Sequence, residues 1–274
     1  MTPEKPTPTI QAATWKRLDL AVKDLGIDLS DGLPEHERTE TDPALAERTA
    51  QYQANRQRCE QHWLEQILRI TAQELDTQAD TPAPTLKPDS GWWGQFLQCA
   101  RQAGDDATQQ ILARLLAREL TTQNSVSRHT LHSLSTLDLW ELESFIEYTA
   151  FAFAFDSGWR FIFEEEPLRR EIWTYGREID ITTHLVRIGL LNEQPDRILT
   201  RSARGIVIRY QDKRYTIEHV KTEESSASFL YRRYTPTGQQ LANALKTKRF
   251  NGYARNVVAK LKEEMNVKLE LVEE

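Results

Sequence analysis

Apolar residues recur along this chain first with a helical spacing and then, past about residue 195, with a spacing near two. After a Pro- and Thr-rich segment, Met1 to Thr9, read as disordered, Trp15, Leu18, Val22 and Leu25 share one side of a predicted helix stopped by Gly26. Asp28 to Thr41 reads as a linker. Asp42-Pro43 then opens a long helix reaching about Leu75, since proline is tolerated in a first turn. Its apolar positions are sparse until Trp63, Leu64, Ile67, Leu68, Ile70 and Leu75, the pattern of an arm docked only by its tip. Thr77 to Pro88 is a second linker by composition. A helix follows from Asp89 or Ser90, with Trp92, Trp93, Phe96, Leu97 and Ala100 on one stripe and Gly104 as its end. The next, opened by Asp105-Asp106, buries Ile111, Leu112, Leu115, Leu116 and Leu120, and Ser127 starts a short third. Ser135 to Asp138 reads as a capping box before an apolar run, Leu139 to Phe155, helical for most of its length. Phe151 to Phe155 is read as the buried end of that helix, Trp159 to Phe163 as a strand, and Ile179 to Leu191 as a further helix.

The period then changes. Ile198–Thr200, Gly205–Tyr210 and Arg214–His219 alternate or are β-branched, with Gln211-Asp212-Lys213 as a hairpin turn, and Ser228–Tyr234 is another strand. Thr235-Pro236 opens a helix running through Lys246, Gly252 to Met265 forms a last helix, and Val267 to Val272 a closing strand. The expected fold class is mainly α with a small β component: a helical domain followed by a winged-helix-like C-terminal part. The expected divisions are an N-terminal segment (1–41), a helical arm and linker (42–88), a helical domain (89–175) and the winged-helix-like domain (176–274).

Charge adds what periodicity does not show. The chain carries a net −6 over 274 residues, yet residues 200–262 hold 14 Lys/Arg against 4 Asp/Glu. Such a block is either a solvated face, one docked on acidic parts of the same chain, or a surface for an anionic partner. In a winged-helix arrangement a glycine ends one helix, a hairpin forms the wing and a threonine caps the next helix. Gly189, the hairpin around residue 212, and Thr235 stand in that order. Arg201, Arg204, Arg209, Lys213 and Arg214 would then lie on or near the wing, with Arg232, Arg233, Lys246, Lys248 and Arg249 on the same side. Thr182, Thr183, His184 and Arg187 would occupy the recognition helix.

Motifs for catalysis, metal or cofactor use do not assemble. His129 and His132 form an i,i+3 pair without the further ligands a metal site needs. Glu164-Glu165-Glu166-Pro167 reads as a solvated turn, because three consecutive carboxylates diverge. No Gly-x-Ser-x-Gly elbow and no phosphate-binding glycine loop occurs, and Cys59 and Cys99 stand in no redox or metal spacing. The greasiest stretch, Tyr148 to Phe155, is far short of the ~20 apolar residues of a membrane span, and no apolar signal core opens the chain. A cytoplasmic protein away from membranes is expected.

Trp93-Gly94-Gln95-Phe96, the run Gln110 to Leu120 and Ser125-Val126-Ser127-Arg128-His129-Thr130-Leu131 resemble the bacterial family called domain of unknown function 2806 over roughly residues 89–265. Gln123-Asn124 stands where that family commonly has Pro-Gly. The layout is also similar, more loosely, to alpha-type abortive-infection proteins of phage defence. No activity is established for the first family, so the resemblance supplies no catalytic residue. The expectation is a non-enzymatic regulatory or adaptor protein, without cofactor or metal, acting in phage defence by analogy. It would bind a protein partner or itself through the N-terminal arm. The alternatives are DNA or RNA binding through residues 200–262 and an enzyme with an unfamiliar site.

Overall fold

The computed structural model describes residues 43–77, 88–173, 181–200, 206–219, 227–264 and 267–272. The segments expected over 1–41 and most of the 77–88 linker lie outside them. The long helix is present as α1 (Pro43–Asp76), followed by α2 (Ser90–Ala100), α3 (Asp106–Thr121) and α4 (Arg128–Thr136). The side chains of Asp89, Asp105 and Ser127 accept backbone N–H groups of their own first turns, as expected of those residue types. Against α2 and α3 pack Ile67 of α1, Trp92, Phe96, Leu112 and Leu116, all buried.

Helix α5 (Leu139–Thr149) starts three residues later than the expected capping box. Asp138 is the cap, and Glu141 returns a carboxylate oxygen to its backbone N–H at 2.8 Å. This helix also ends early. Phe153–Phe155 is strand β1, not a helix end, and it pairs with β2 (Arg160–Phe163) as a hairpin whose turn holds Gly158 at φ 86°. The period-two aromatics were the local signal. In the strand, Phe153 reaches Phe163 at 5.2 Å and Tyr210 at 5.0 Å on one sheet face. Helix α6 (Glu166–Trp173) begins inside the Glu164–Pro167 segment expected as a solvated turn. Glu164, just before it, is largely buried and paired with Arg232 and Arg169.

The remainder is α7 (Ile181–Arg187), β3 (Asp196–Thr200), β4 (Ile206–Tyr210), β5 (Lys213–His219), β6 (Ala227–Arg233), α8 (Pro236–Asn243), α9 (Asn251–Glu264) and β7 (Val267–Val272). All seven strands form one antiparallel sheet in the order β3-β6-β2-β1-β4-β5-β7. The chain is thus mainly helical with one β-sheet. Strands from either side of residue 175 share that sheet, and the β4–β5 hairpin lies inside it between β1 and β7. The sheet's aromatic face packs on α9, where Phe151 stacks on Phe250 at 4.8 Å and Tyr253 is fully buried.

Two sequence landmarks meet in space. Gly189 at φ 76° turns the chain out of α7, and the N–H groups of Leu190 and Leu191 both reach the Leu185 carbonyl. Thr235 caps α8 and donates its hydroxyl to the Gly189 carbonyl at 2.6 Å. Gly238 lies so close beneath that a Cβ there would stand 2.0 Å from the Leu190 carbonyl oxygen. The glycine of the Thr-x-x-Gly step is therefore required by a close helix–backbone approach.

Candidate partner interface

The first candidate surface is α1. At ~1.5 Å per residue its 34 residues span ~51 Å. Among the described residues the body first meets it at Glu60, which Arg101 approaches at 3.8 Å, and at Trp63, which lies against Gly104. From there Ile67 is buried, Thr71 donates to the Ala113 carbonyl at 3.3 Å, and Glu74 takes Arg114 and Lys246. Upstream, from Leu45 to Arg58, every side chain is exposed except the half-buried Arg48 and Asn55.

At about 100° per residue, Leu45, Tyr52, Cys59, Trp63, Ile67 and Ile70 fall within about 40° of one line along the helix. The stripe that seats α1 on α3 therefore continues past the edge of the body. There Leu45 is 49% exposed and Tyr52 36% exposed. Leu45, Tyr52 and Cys59 are seven residues apart, one of the two alternating positions of a helix–helix seam, while the other is polar, at Arg48 or Thr49 and at Asn55 or Arg56.

The second surface is the sheet. Register sets Ala154 opposite Arg160 and opposite Arg209, and Arg209 opposite Arg214, so three arginines share one cross-strand row and one face. Arg209 and Arg214 both donate an Nη2 to the same oxygen of Asp156, at 2.5 and 3.0 Å. The hydrogen bond from Arg209, with both positive charges, holds the Asp156 carboxyl below its ordinary range against a smaller opposing effect of burial. One carboxylate thus serves two guanidiniums, and the buried Nε of each has no acceptor.

The other expected basic residues are distributed differently. Arg232 is largely buried, bonded to Glu164 at 2.6 Å and to the carbonyls of Asn192 and Glu193 at 2.7 Å. Arg233 pairs with Asp196 at 2.5 Å, Lys246 with Glu74 at 2.6 Å and Arg249 with Asp212 at 3.0 Å. Arg187 ends α7 exposed, Lys213 opens β5, and Lys248 is exposed with its carbonyl accepting from Gln211. Arg201 and Arg204 lie outside the described residues. The fold brings Arg209 and Arg214 together on one face, sets Lys213 by alternation on the other, and disperses the rest of the described set. Their carboxylate partners stand 37 to 172 residues away in sequence, so no local spacing reveals them.

On α7, Thr182 is buried and His184 pairs through Nε2 with Glu141 at 2.5 Å, while the exposed Trp140 ring lies 4.8 Å from the imidazole. Only Thr183 and Arg187 of the expected recognition residues face solvent. His129 and His132 are both exposed, and the described residues hold no cluster of three or more His, Cys, Asp or Glu suited to a metal ion. No helix among them is long and apolar enough to cross a membrane.

A family model described as a protein of unknown function (DUF2806) matches residues 47–258 of the 274. The match takes in α1 from Glu47 onward. No curated protein and no solved structure matches the chain.

Proposed function

We propose that this chain, which belongs to the DUF2806 family of proteins of unknown function, is a non-enzymatic adaptor. It assembles with a second copy through the upstream half of α1 and offers its arginine-bearing sheet face to a macromolecular partner. The carrying observation is that Leu45 and Tyr52, on the line of the docked stripe of α1, stay exposed beyond the body. Most helical stability comes from tertiary packing, and a helix packed along this line supplies it to the largely exposed upstream half. The downstream half already demonstrates that mode of packing on α3. A second α1 is the occupant argued for because the same seven-residue seam, met antiparallel, is self-complementary.

A binding role also agrees with how the buried carboxylates are engaged. Glu119 accepts from the N–H groups of Asn124 and Val126 and the hydroxyl of Ser125, closing the α3–α4 loop. Glu141 caps α5, and Glu171 holds Lys260 at 2.7 Å and Asn256 at 2.9 Å. Each is a structural acceptor. Phage defence as the setting rests on the looser likeness to alpha-type abortive-infection proteins alone.

The test is light scattering coupled to size exclusion on the full chain, beside the Leu45→Glu/Tyr52→Glu double variant. Wild type is expected to run as a dimer and the variant as a monomer with unchanged melting of the body. A monomeric wild type, or a variant that assembles as well as wild type, contradicts the proposal.

A second reading, nucleic-acid binding by the winged-helix-like part, is favoured by one observation: Arg209 and Arg214 share a single carboxylate, Asp156. Replacing both arginines with alanine is then expected to weaken duplex DNA binding and to reduce the log–log salt slope by about 2, near 0.9 per phosphate contact. An unchanged slope removes the reading.

A further inference from the structure

A cleft of about 450 Å³ opens where α1, α3 and the end of α8 converge. Its walls include Glu74, Arg114, Arg118, Thr121, Asn243 and Lys246. Glu74 is the one carboxylate among the lining residues, and it is already shared by Arg114 at 3.2 Å and Lys246 at 2.6 Å. Arg118 forms no ion pair among the described residues. Behind the wall, Arg160 donates from Nη1 to the Asn243 side-chain oxygen, a neutral acceptor that also takes Gln239 at 3.0 Å. Arg160 likewise has no carboxylate partner among the described residues.

Burial holds the Arg160 guanidinium below its ordinary value, and the positive charge of Arg118 acts in the same direction. One guanidinium without a carboxylate partner, Arg118, therefore lines the cleft, and a second, Arg160, stands behind the wall residue Asn243. The α3 C-terminus, near Thr121, supplies an opposing partial charge of about half a unit, leaving a clear positive excess. A buried cation without a partner costs stability that an arriving anion relieves.

We infer that this cleft binds the phosphate group of a phosphorylated ligand, with Arg118 as the direct contact and Arg160 completing the positive field through Asn243. The volume accommodates a mononucleotide-sized molecule. A small phosphorylated molecule and the terminal phosphate of a nucleic-acid strand present the same chemistry, a dianionic monoester meeting guanidinium forks. The inference stands apart from the assembly of α1 copies.

The experiment is calorimetry on the full chain with adenosine monophosphate and a 5′-phosphorylated oligonucleotide at constant ionic strength, with succinate and the 5′-hydroxyl oligonucleotide as controls. At least one phosphate probe is expected to bind with a dissociation constant below ~1 mM and to be weakened about tenfold or more by Arg118→Gln. Arg118 is exposed, so this variant is expected to keep the wild-type melting temperature. Arg160→Met is expected to abolish the rise in melting temperature that the probe gives wild type. Adenosine monophosphate binding identifies a small-molecule source, and selective binding of the phosphorylated oligonucleotide a strand end. No binding by any phosphate probe, equal binding of succinate, or Arg118→Gln binding like wild type overturns the inference.

Discussion

Glu119 shows what single residues contribute. Its carboxylate is 3% exposed and satisfies two backbone N–H groups and a hydroxyl in the loop where Asn124 adopts φ 61°. Glu119→Ala strips those donors of their acceptor and is expected to cost about 3 kcal/mol, measured by urea denaturation. A loss under about 1 kcal/mol would show that the loop closes without it. Gly238→Ala drives a methyl into the Leu190 carbonyl and is expected to destabilise by about 2 kcal/mol or more. Neither cost was readable in sequence to its full extent. The Thr-x-x-Gly step marks a helix start, but the carbonyl it presses on comes from Leu190, brought there by tertiary packing. The arginines of residues 200–262 were visible as a charge block, whereas Asp156, Glu164, Asp196 and Glu74 were not legible as their partners. Pairing across a sheet or between distant helices leaves no local spacing.

Elements were legible wherever capping chemistry and periodicity agreed. Asp89, Asp105, Ser127 and Thr235 mark real helix starts, and the Gln211-Asp212 turn joins β4 to β5 as expected. Phe151 to Phe155 was misread because an apolar run of that length fits either element, and only the pairing of β1 with β2 and β4 decides it. The clamp on α1 carries a pH expectation. Burial raises the Glu74 pKa, but the hydrogen bonds and charges of Lys246 and Arg114 outweigh it and hold it below the ordinary glutamate value. Because the folded value is the lower one, this contribution is complete above the unfolded value and is lost as pH falls through the folded one. Melting of the chain is expected to drop more steeply between about pH 5 and 3 in wild type than in Glu74→Gln, whose clamp no longer titrates. Parallel pH profiles for the two proteins would contradict that role.

At the scale of the molecule, positive charge gathered in one stretch of sequence is spread by the fold over several carboxylates, and among the described residues Arg209 and Arg214 share one of them, Asp156. On α1 the line that begins in the core at Ile67 runs out past the body to the exposed Tyr52 and Leu45. Sequence alone suggested an arm docked by its tip, and it could not show that the docking stripe and the free stripe are one line. That continuity follows from α1 being a single helix from Pro43 to Asp76. The decisive measurement is the mass of the full chain by light scattering across a concentration series. A dimer that Leu45→Glu/Tyr52→Glu converts to monomer is the expected result. A chain that stays monomeric at ~100 μM, or that assembles identically with both substitutions, contradicts it.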